Sequence, residues 1–377
     1  MKAYSIALFL YILINSLFIL KYGLRVLPWY VVIVACIAYG GVVIAGCKFI
    51  LPKFSKFSNY NIRRGITLVA LLICLLFLTA FQYIPDPMTI RVDRWSAIHN
   101  FLYNLTHGIY PYAAQTHLGG YGSPFPVWQI LHLPFYWLGD VGLSFIAGIL
   151  LFVHSVSLHL KNKGEDIAFA LLGCSPAFIY EVFVRSDLMT NFIVSLSILL
   201  YCIHYRLTIK ENTLSLGIIV GLLMSTRLSA IIPFCIYYFY ELYHISWQRQ
   251  LTFISTVIIT FALTFLPFLL WDSEMLLFFE YNPFILQTRQ GHPIDLIVVV
   301  TIGIYLSFWQ RHYIDRHLFA TAIILLLLVS ITFMHNMYLN DNWNALFESA
   351  YDITYFGMAI PFLCAFLVNR LLINHSK

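Results

Sequence analysis

The residues best suited to chemistry lie in one polar stretch, residues 84–124, between two strongly apolar segments. Its Asp93 carries a carboxylate that can accept a proton from a hydroxyl group, and general-base assistance of this kind is worth a factor of about 10²–10⁴ in rate. Asp86, which stands between two prolines in the same stretch, is the alternative base. Its residue type therefore makes Asp93 the first candidate for a catalytic base.

Arginines near the ends of apolar segments are candidates for binding a phosphate group. Arg185 and Arg227 occupy such positions, and a guanidinium group suits phosphate because it offers two parallel N–H donors. A charge inside an apolar span costs about 2.5–3.5 kcal/mol, so both side chains are expected at a membrane surface, where contact with lipid headgroups is the competing explanation. Arg94 is a further candidate phosphate ligand with the same alternative.

Asp187, Tyr110 and Tyr112 complete the candidate binding residues. Asp187 can contact a sugar, or it can be a negative charge that the dipole favours at a helix N-terminus. The two tyrosine rings could stack on a sugar ring. No cysteine or histidine spacing indicates a metal site, although a divalent ion stays open as a cofactor. We expect isolated loop histidines at four positions: His107, His117, His292 and His335.

The composition indicates that these residues are carried by a membrane protein. Of the 377 residues, 60% are hydrophobic and 10% are charged, whereas soluble domains carry about 25% charged residues. A chain of this kind cannot cover itself with a hydrated surface, which excludes a soluble enzyme, a disordered protein and a disulfide scaffold. No basic run suits nucleic acid, so the expected surroundings are a lipid bilayer.

Apolar segments predict an all-α, polytopic helical bundle that forms a single transmembrane domain over residues 1–377. A bilayer core needs about 20 apolar residues per helix. About twelve candidate spans result: 4–20, 28–50, 64–83, 141–160, 166–181, 187–206, 213–226, 228–243, 251–271, 293–309, 318–334 and 351–369. The piece 125–138, broken by Pro134, is expected to be re-entrant or interfacial. Residues 213–243 are either two short helices or one long one, and two are favoured because they keep Arg227 near a surface.

Basic residues predict the orientation of the bundle. With the N-terminus in the cytoplasm, 15 of the 22 lysines and arginines fall on the inner side, as the positive-inside rule requires. Both termini are then cytoplasmic in the cell membrane, and residues 84–124 are outside. Apolar residues at helical spacing from Trp95 to Leu105 predict an amphipathic helix at about 93–107, with Asp93 as its N-cap. Glycines and prolines after it predict rigid turns.

Five short motifs follow one another along the chain: DRW (93–95), GIYPY (108–112), YGSPFP (121–126), RSD (185–187) and GLLMSTR (221–227). Their order resembles the GT-C superfamily of integral membrane glycosyltransferases, in particular its lipid-linked mannosyltransferase and aminoarabinose-transferase branches. The resemblance covers roughly residues 84–240. The chain differs in placing two spans before the span that leads into the loop, which would make them an added pair, and in having Arg94 where some branches have a second acid.

The resemblance implies an inverting transfer of a hexose or pentose from a polyprenyl-phosphate donor on the outer face of the membrane. The acceptor would be a hydroxyl group of a glycan, lipid or protein. Asp93 would be the base, and the arginines would stabilise the leaving phosphate. Two other functions stay open. A lipid-linked transporter or flippase would show repeated halves, and a polysaccharide polymerase or ligase would depend on outer arginines and histidines in loops such as 271–292 and 335–350.

Overall fold

The computed structural model describes residues 2–51, 53, 60–160, 164–277, 280, 282–289, 291–311, 313–344, 347 and 352–375. These residues are mostly helical, and the β-structure among them is a single isolated bridge between Gln115 and Tyr121. Eight helical stretches among the described residues are long and apolar enough to cross a membrane. The chain is therefore an all-α protein with the helices of a multi-pass membrane protein.

The helices are numbered in chain order. They are α1 (Lys2–Gly23), α2 (Trp29–Ala45), α3 (Tyr60–Gln82), α4 (Arg94–Thr106), α5 (Pro126–Leu131), α6 (Leu133–Trp137), α7 (Ser144–His159), α8 (Glu165–Gly173), α9 (Pro176–Phe183), α10 (Leu188–His204), α11 (Thr213–Met224), α12 (Ile232–His244), α13 (Trp247–Trp271), α14 (Ser273–Leu277), α15 (Pro283–Thr288), α16 (Pro293–Gln310), α17 (Ile314–Leu339) and α18 (Ile360–His375). The eight long apolar stretches contain α1, α2, α3, α7, α13, α16, α17 and α18.

The four other predicted spans are helical but short or broken. Helices α8 and α9 meet at a bend of 65°, where Pro176 starts the second helix because it cannot continue the first. Helix α10 has 17 residues, α11 has 12 and α12 has 13. At about 1.5 Å per residue, α11 is roughly 18 Å long, short of a core of roughly 30 Å. The predicted count of about twelve spans is therefore not confirmed.

Residues 213–243 form two helices, as favoured from the sequence. Helix α11 ends at Met224 and α12 begins at Ile232, with a 3₁₀ turn between them. Helix α11 packs closely against α13 because it presents two glycines: a Cβ at Gly217 would lie 2.7 Å from Thr256 Cβ, and one at Gly221 would lie 2.7 Å from Thr260 Cβ. Small residues at this spacing allow membrane helices to approach closely.

Helix α18 lies at the centre of the bundle, and α1 packs against it. Of the 18 most apolar consecutive residues in the stretch Ile353–Leu372, 78% are buried inside the protein, compared with 22% in the stretch that contains α13. The Asn15 side chain of α1 accepts hydrogen bonds from Ser175 Oγ (2.6 Å) and from the Ala177 backbone N–H (3.1 Å) at the bend between α8 and α9. Helix α1 is thus part of the core.

The amphipathic helix predicted at 93–107 is present as α4. Its buried side chains Ile98, Phe101 and Leu102 belong to an apolar cluster with Phe268 of α13. The helix ends before Gly108, whose φ of +71° lies in the left-handed region that favours glycine after a helix C-terminus. The broken piece 125–138 is also present, as α5 and α6 with His132 between them.

Candidate functional site

Three consecutive residues between α9 and α10 hold most of the predicted site residues together. Arg185, Ser186 and Asp187 each contact a different partner from a distant part of the chain. All of these partners were predicted on the outer side of the membrane. We call the following set the polar cluster: Arg94, Asp140, Arg185, Ser186, Asp187, Arg227 and Asp352.

Arg185 is fixed by an ion pair and a backbone contact. Its Nε lies 2.9 Å from Asp140 Oδ2, and its Nη1 donates to the carbonyl of Pro85 (3.2 Å). Asp140 also accepts a hydrogen bond from Trp95 Nε1 of α4 (2.7 Å). The φ of Arg185 is +50°, a left-handed conformation that costs a non-glycine residue of the order of 1–3 kcal/mol. The ion pair therefore holds Arg185 in a strained position between the loop and α4.

Asp187 and Arg227 form a second buried ion pair. Arg227 Nη2 donates to Asp187 Oδ2 at 2.7 Å, and Trp128 Nε1 of α5 donates to the same oxygen at 2.6 Å. Although burial alone would raise the pKa of Asp187, the charges of Arg227, Arg94 and His132 lower that pKa to about 2. Asp187 stands at the N-cap of α10 but makes no side-chain cap hydrogen bond. The ionised form of Asp187 is therefore stabilised by the ion pair with Arg227 more than by the dipole of α10.

Arg94 connects α4 to Ser186 and to the segment before α18. Its Nη1 donates to Ser186 Oγ (3.1 Å), and its Nη2 donates to Asp352 Oδ2 (2.7 Å). The guanidinium carbon also lies 5.1 Å from the centre of the Tyr355 ring. The three predicted phosphate ligands are therefore each paired with a carboxylate.

Asp93 occupies the N-cap position of α4, but its side chain does not cap the helix. Its Oδ2 accepts a hydrogen bond from Thr116 Oγ1 at 2.9 Å, and a Cβ at Gly120 would lie 3.3 Å from the same oxygen. Among the residues that the structure describes, Oδ1 of Asp93 has no hydrogen-bond partner. The carboxylate is half-buried. The hydrogen bond from Thr116 of the loop orients it, and it makes no hydrogen bond to the N-terminus of α4. Asp86 is exposed and accepts a hydrogen bond from the Met88 N–H (2.9 Å), which is a local turn contact.

Tyr110 and Tyr112 are buried, with 7% and 2% of their surface exposed. The Tyr112 ring packs edge-on against Phe101 and Phe268, and the Tyr110 hydroxyl donates to the Phe268 carbonyl at 3.4 Å. This burial favours a role in attaching the loop to α13 over the predicted contact with a sugar ring.

Sequence reasoning missed a group of buried polar side chains beside the Asp187–Arg227 pair. His132 lies near both charges, and burial lowers its pKa. Gln129 and Asn191 are almost completely buried, and among the described residues their side-chain nitrogens and oxygens have no hydrogen-bond partners. The available signal was the presence of amides and an imidazole inside otherwise apolar segments.

Three of the four histidines expected to be isolated are not. His117 Nδ1 lies 2.7 Å from Ser96 Oγ. His335 Nδ1 lies 2.9 Å from Asp295 Oδ2, and the ring centres of His292 and His335 are 4.2 Å apart. The expectation failed for His292 and His335 because α16 and α17 bring them together with Asp295, and it failed for His117 because the loop places this ring against α4. His107 contacts its own helix, with Nδ1 2.8 Å from the Tyr103 carbonyl.

An apolar groove of about 690 Å³ begins one residue after Arg227. Its walls come from α12, α16 and α17, and its polar end carries Ser229, Gln287, His292 and Asp295. Gln287 joins this end to the loop, because its Oε1 accepts from the Leu228 N–H (3.0 Å) and its Nε2 donates to the Ser123 carbonyl (2.8 Å).

Residues 185–187 thus link Arg94 and Arg227 to one another. Asp93 contacts Thr116 instead, and the predicted residues do not all face one described cavity. Neither the groove nor a second pocket of about 570 Å³ at Asp315 and Arg370 is lined by Asp93, Arg185 or Arg227. Within the described ranges, no group of three His, Cys, Asp or Glu side chains could hold a metal ion. Comparison of the chain with protein-family models, curated proteins and solved structures finds no match.

Proposed function

We propose that this protein is a membrane glycosyltransferase that moves a sugar from a polyprenyl-phosphate donor to an acceptor hydroxyl group on the outer face of the membrane. The observation that carries the proposal is the Asp93 carboxylate, which Thr116 orients through Oδ2 while Oδ1 has no partner among the described residues. A carboxylate held at one oxygen and open at the other suits a general base.

The proposed step is a single displacement. The acceptor oxygen forms a bond to the anomeric carbon as its proton passes to Asp93 Oδ1. The bond between the anomeric carbon and the phosphate oxygen breaks, and its electron pair leaves with the phosphate. Attack from the side opposite the leaving group inverts the configuration. A second carboxylic acid is not required, because a phosphate leaves without being protonated, unlike the alcohol in glycoside hydrolysis.

Among the arginines, Arg227 is the one we assign to the leaving phosphate. It lies directly before the groove residues Leu228 and Ser229, which would receive the apolar chain of the donor. Arg227 is itself paired with Asp187, so its place beside the groove is the only basis for this choice. Arg185 is tied to Asp140 and to the Pro85 carbonyl, and Arg94 to Ser186 and Asp352. We assign Arg185 and Arg94 to positioning the loop that carries Asp93.

The test compares two aspartates of the same loop. Membranes that contain the full chain would be incubated with synthetic polyprenyl-phosphate sugars that carry radiolabelled mannose, glucose, galactose or arabinose. The readouts are label leaving the lipid and release of polyprenyl phosphate. Asp93→Asn should lower the transfer rate by about 10²–10⁴-fold, the usual worth of a general base. Asp86→Asn, at the exposed turn, should leave the rate unchanged.

Two outcomes would contradict the proposal. Full transfer activity in Asp93→Asn would show that Asp93 is not the general base. Wild-type protein that moves the labelled lipid across the bilayer without releasing polyprenyl phosphate from any donor would indicate a flippase.

A further inference from the structure

The second pocket, of about 570 Å³, lies at the end of the bundle opposite the polar cluster, between α7, α17 and α18. The helical stretch from Ile353 to Arg370 separates it from Asp352 of the polar cluster. At about 1.5 Å per residue this stretch is roughly 27 Å long, close to a bilayer core of roughly 30 Å. The pocket is therefore at the other membrane surface, which the basic residues predict to be cytoplasmic.

The one carboxylate that lines this pocket, Asp315 in the first turn of α17, is held by two neighbouring residues of α18. Its Oδ2 lies 3.1 Å from Arg370 Nη2, and its Oδ1 accepts a hydrogen bond from Asn369 Nδ2. Both of its oxygens thus have partners, and the positive charge of Arg370 balances the negative charge of Asp315. The sign of the pocket is therefore decided by the remaining charged residue of its lining.

Arg316 is that residue, and it gives the pocket a surplus positive charge. Its guanidinium carbon lies 5.4 Å from the centre of the Trp309 ring and 4.9 Å from that of Tyr313, and its Nη1 donates to the Trp309 carbonyl at 3.2 Å. These contacts hold the side chain without neutralising it, and none of the carboxylates that the structure describes pairs with it. Arginine stays protonated in proteins, so the pocket attracts an anion even when His159 of its lining is neutral.

The helix ends around the pocket do not set the sign of its ligand. Helix α17 contributes its N-terminus, and α7 contributes its C-terminus at His159, so their dipoles oppose one another. The two guanidinium groups of Arg316 and Arg370 are then the deciding feature. Each offers N–H donors in a planar fork, an arrangement that suits the oxygens of a phosphate group. The volume is sufficient for such a group, since small-molecule sites measure about 300–1,000 Å³.

The surroundings of the pocket favour a phosphate that belongs to the bilayer. Trp309 and Tyr313, the rings that hold Arg316, are themselves exposed, and exposed tryptophan and tyrosine of membrane proteins concentrate at the level of the lipid headgroups. Basic pockets between membrane helices on the cytoplasmic side recognise the headgroups of anionic lipids. A lipid phosphate is thus present at the height of the two arginines.

We propose that this pocket binds the phosphate group of an anionic phospholipid in the leaflet opposite the polar cluster, with Arg316 as its main ligand and Arg370 as the second. The bound lipid would join the ends of α7, α17 and α18 and so support the helix at the centre of the bundle. The inference goes beyond the proposed function and does not rest on it, because none of the pocket residues belongs to the candidate site.

Binding is tested with the purified full chain in a neutral detergent. Phosphatidylglycerol or phosphatidylcholine would be titrated in, and native mass spectrometry would give the affinity of the first bound lipid. Phosphatidylglycerol should bind more tightly, and Arg316→Gln should weaken its binding about tenfold, as expected for the loss of one charge-assisted hydrogen bond. Arg64→Gln is the matched control, since Arg64 of α3 is also an exposed arginine but does not line the pocket; it should bind as the wild type does.

A second variant should change the affinity in the opposite direction. Asp315→Asn keeps an acceptor for Asn369, removes the negative charge from the pocket and frees Arg370 Nη2. Phosphatidylglycerol should then bind several-fold more tightly, because a repulsion is lost and a cation is gained. A purely structural role of Asp315 would not produce this gain. Gel filtration and the melting temperature would show that the variants fold.

Four results would overturn the inference. They are unchanged affinity in Arg316→Gln, weaker binding in Asp315→Asn that remains folded, binding of phosphatidylcholine as tight as that of phosphatidylglycerol, and competition by glycerol 1-phosphate at the concentrations at which the lipid binds. The last result would assign the pocket to a soluble phosphate. None of these measurements uses sugar transfer, so their failure would leave the proposed function untouched, and loss of transfer in Asp93→Asn would say nothing about this pocket.

Discussion

The buried pair of Asp187 and Arg227 should behave as one coupled unit in stability measurements. Their charged atoms lie 2.7 Å apart, and their side chains are only 4% and 8% exposed. Because one pKa unit is worth about 1.4 kcal/mol, lowering the pKa of Asp187 from 3.8 to about 2 corresponds to about 2–3 kcal/mol. This stability is present above the pKa of about 3.9 that an unfolded aspartate has, and it is lost as the pH falls towards 2.

Three variants test this coupling through the melting temperature of the purified full chain at pH 7. Asp187→Asn should cost about 2–3 kcal/mol, since the amide can still accept from Trp128. Arg227→Met should cost about 3–5 kcal/mol because it leaves a buried carboxylate unpaired. The double variant should be less destabilised than the two single effects added together, since it leaves no unpaired charge.

The control is a more exposed pair. Arg370 Nη2 lies 3.1 Å from Asp315, and its side chain is 35% exposed, so Arg370→Met should cost less than about 1 kcal/mol. The reasoning would be refuted if the double variant of Asp187 and Arg227 showed strictly additive losses, or if Arg370→Met cost as much as Arg227→Met.

Two further substitutions test the packing that positions the site. Gly221→Val should destabilise the protein by about 1–3 kcal/mol, because the valine side chain would overlap Thr260. Gly65→Val is the control and should be nearly neutral, because no atom lies within 4 Å of a Cβ at that position. Equal melting temperatures of the two variants would contradict this reasoning. Asn15→Leu should cost about 1–3 kcal/mol, because it removes the acceptor of two buried hydrogen bonds, including that of Ser175, and a melting temperature equal to that of the wild type would show that these bonds contribute nothing.

The class of fold could be predicted from the sequence, and so could α4, the helix whose N-cap is the candidate base. Hydropathy identifies membrane-spanning helices because a segment in lipid must satisfy its backbone hydrogen bonds internally, as a helix does, and must carry apolar side chains. Helical spacing placed α4 within one residue of its observed ends, and the arginine at 227 located the break between α11 and α12. These features depend on local composition, which one sequence displays directly.

The partners of the site residues could not be predicted in the same way. The pairing of Arg94 with Asp352 spans 258 positions in the chain, and that of His335 with Asp295 spans 40. Such contacts follow from which helices lie side by side, and hydropathy contains no information on that arrangement. The same reason explains why Tyr110 and Tyr112, placed in an aromatic loop, were expected at a ligand and not inside an apolar cluster.

The central position of α18 has a consequence for biosynthesis. The ribosome delivers α18 after the other helices that the structure describes, so α1 enters the bilayer while one of the helices that it packs against is still untranslated. Until residues 175–177 emerge, the amide of Asn15 must find temporary hydrogen-bonding partners, such as water or the insertion machinery. Helix α1 therefore reaches its packed position only after α18 has been made, and the nascent chain passes through an interval in which this part of the core is incomplete.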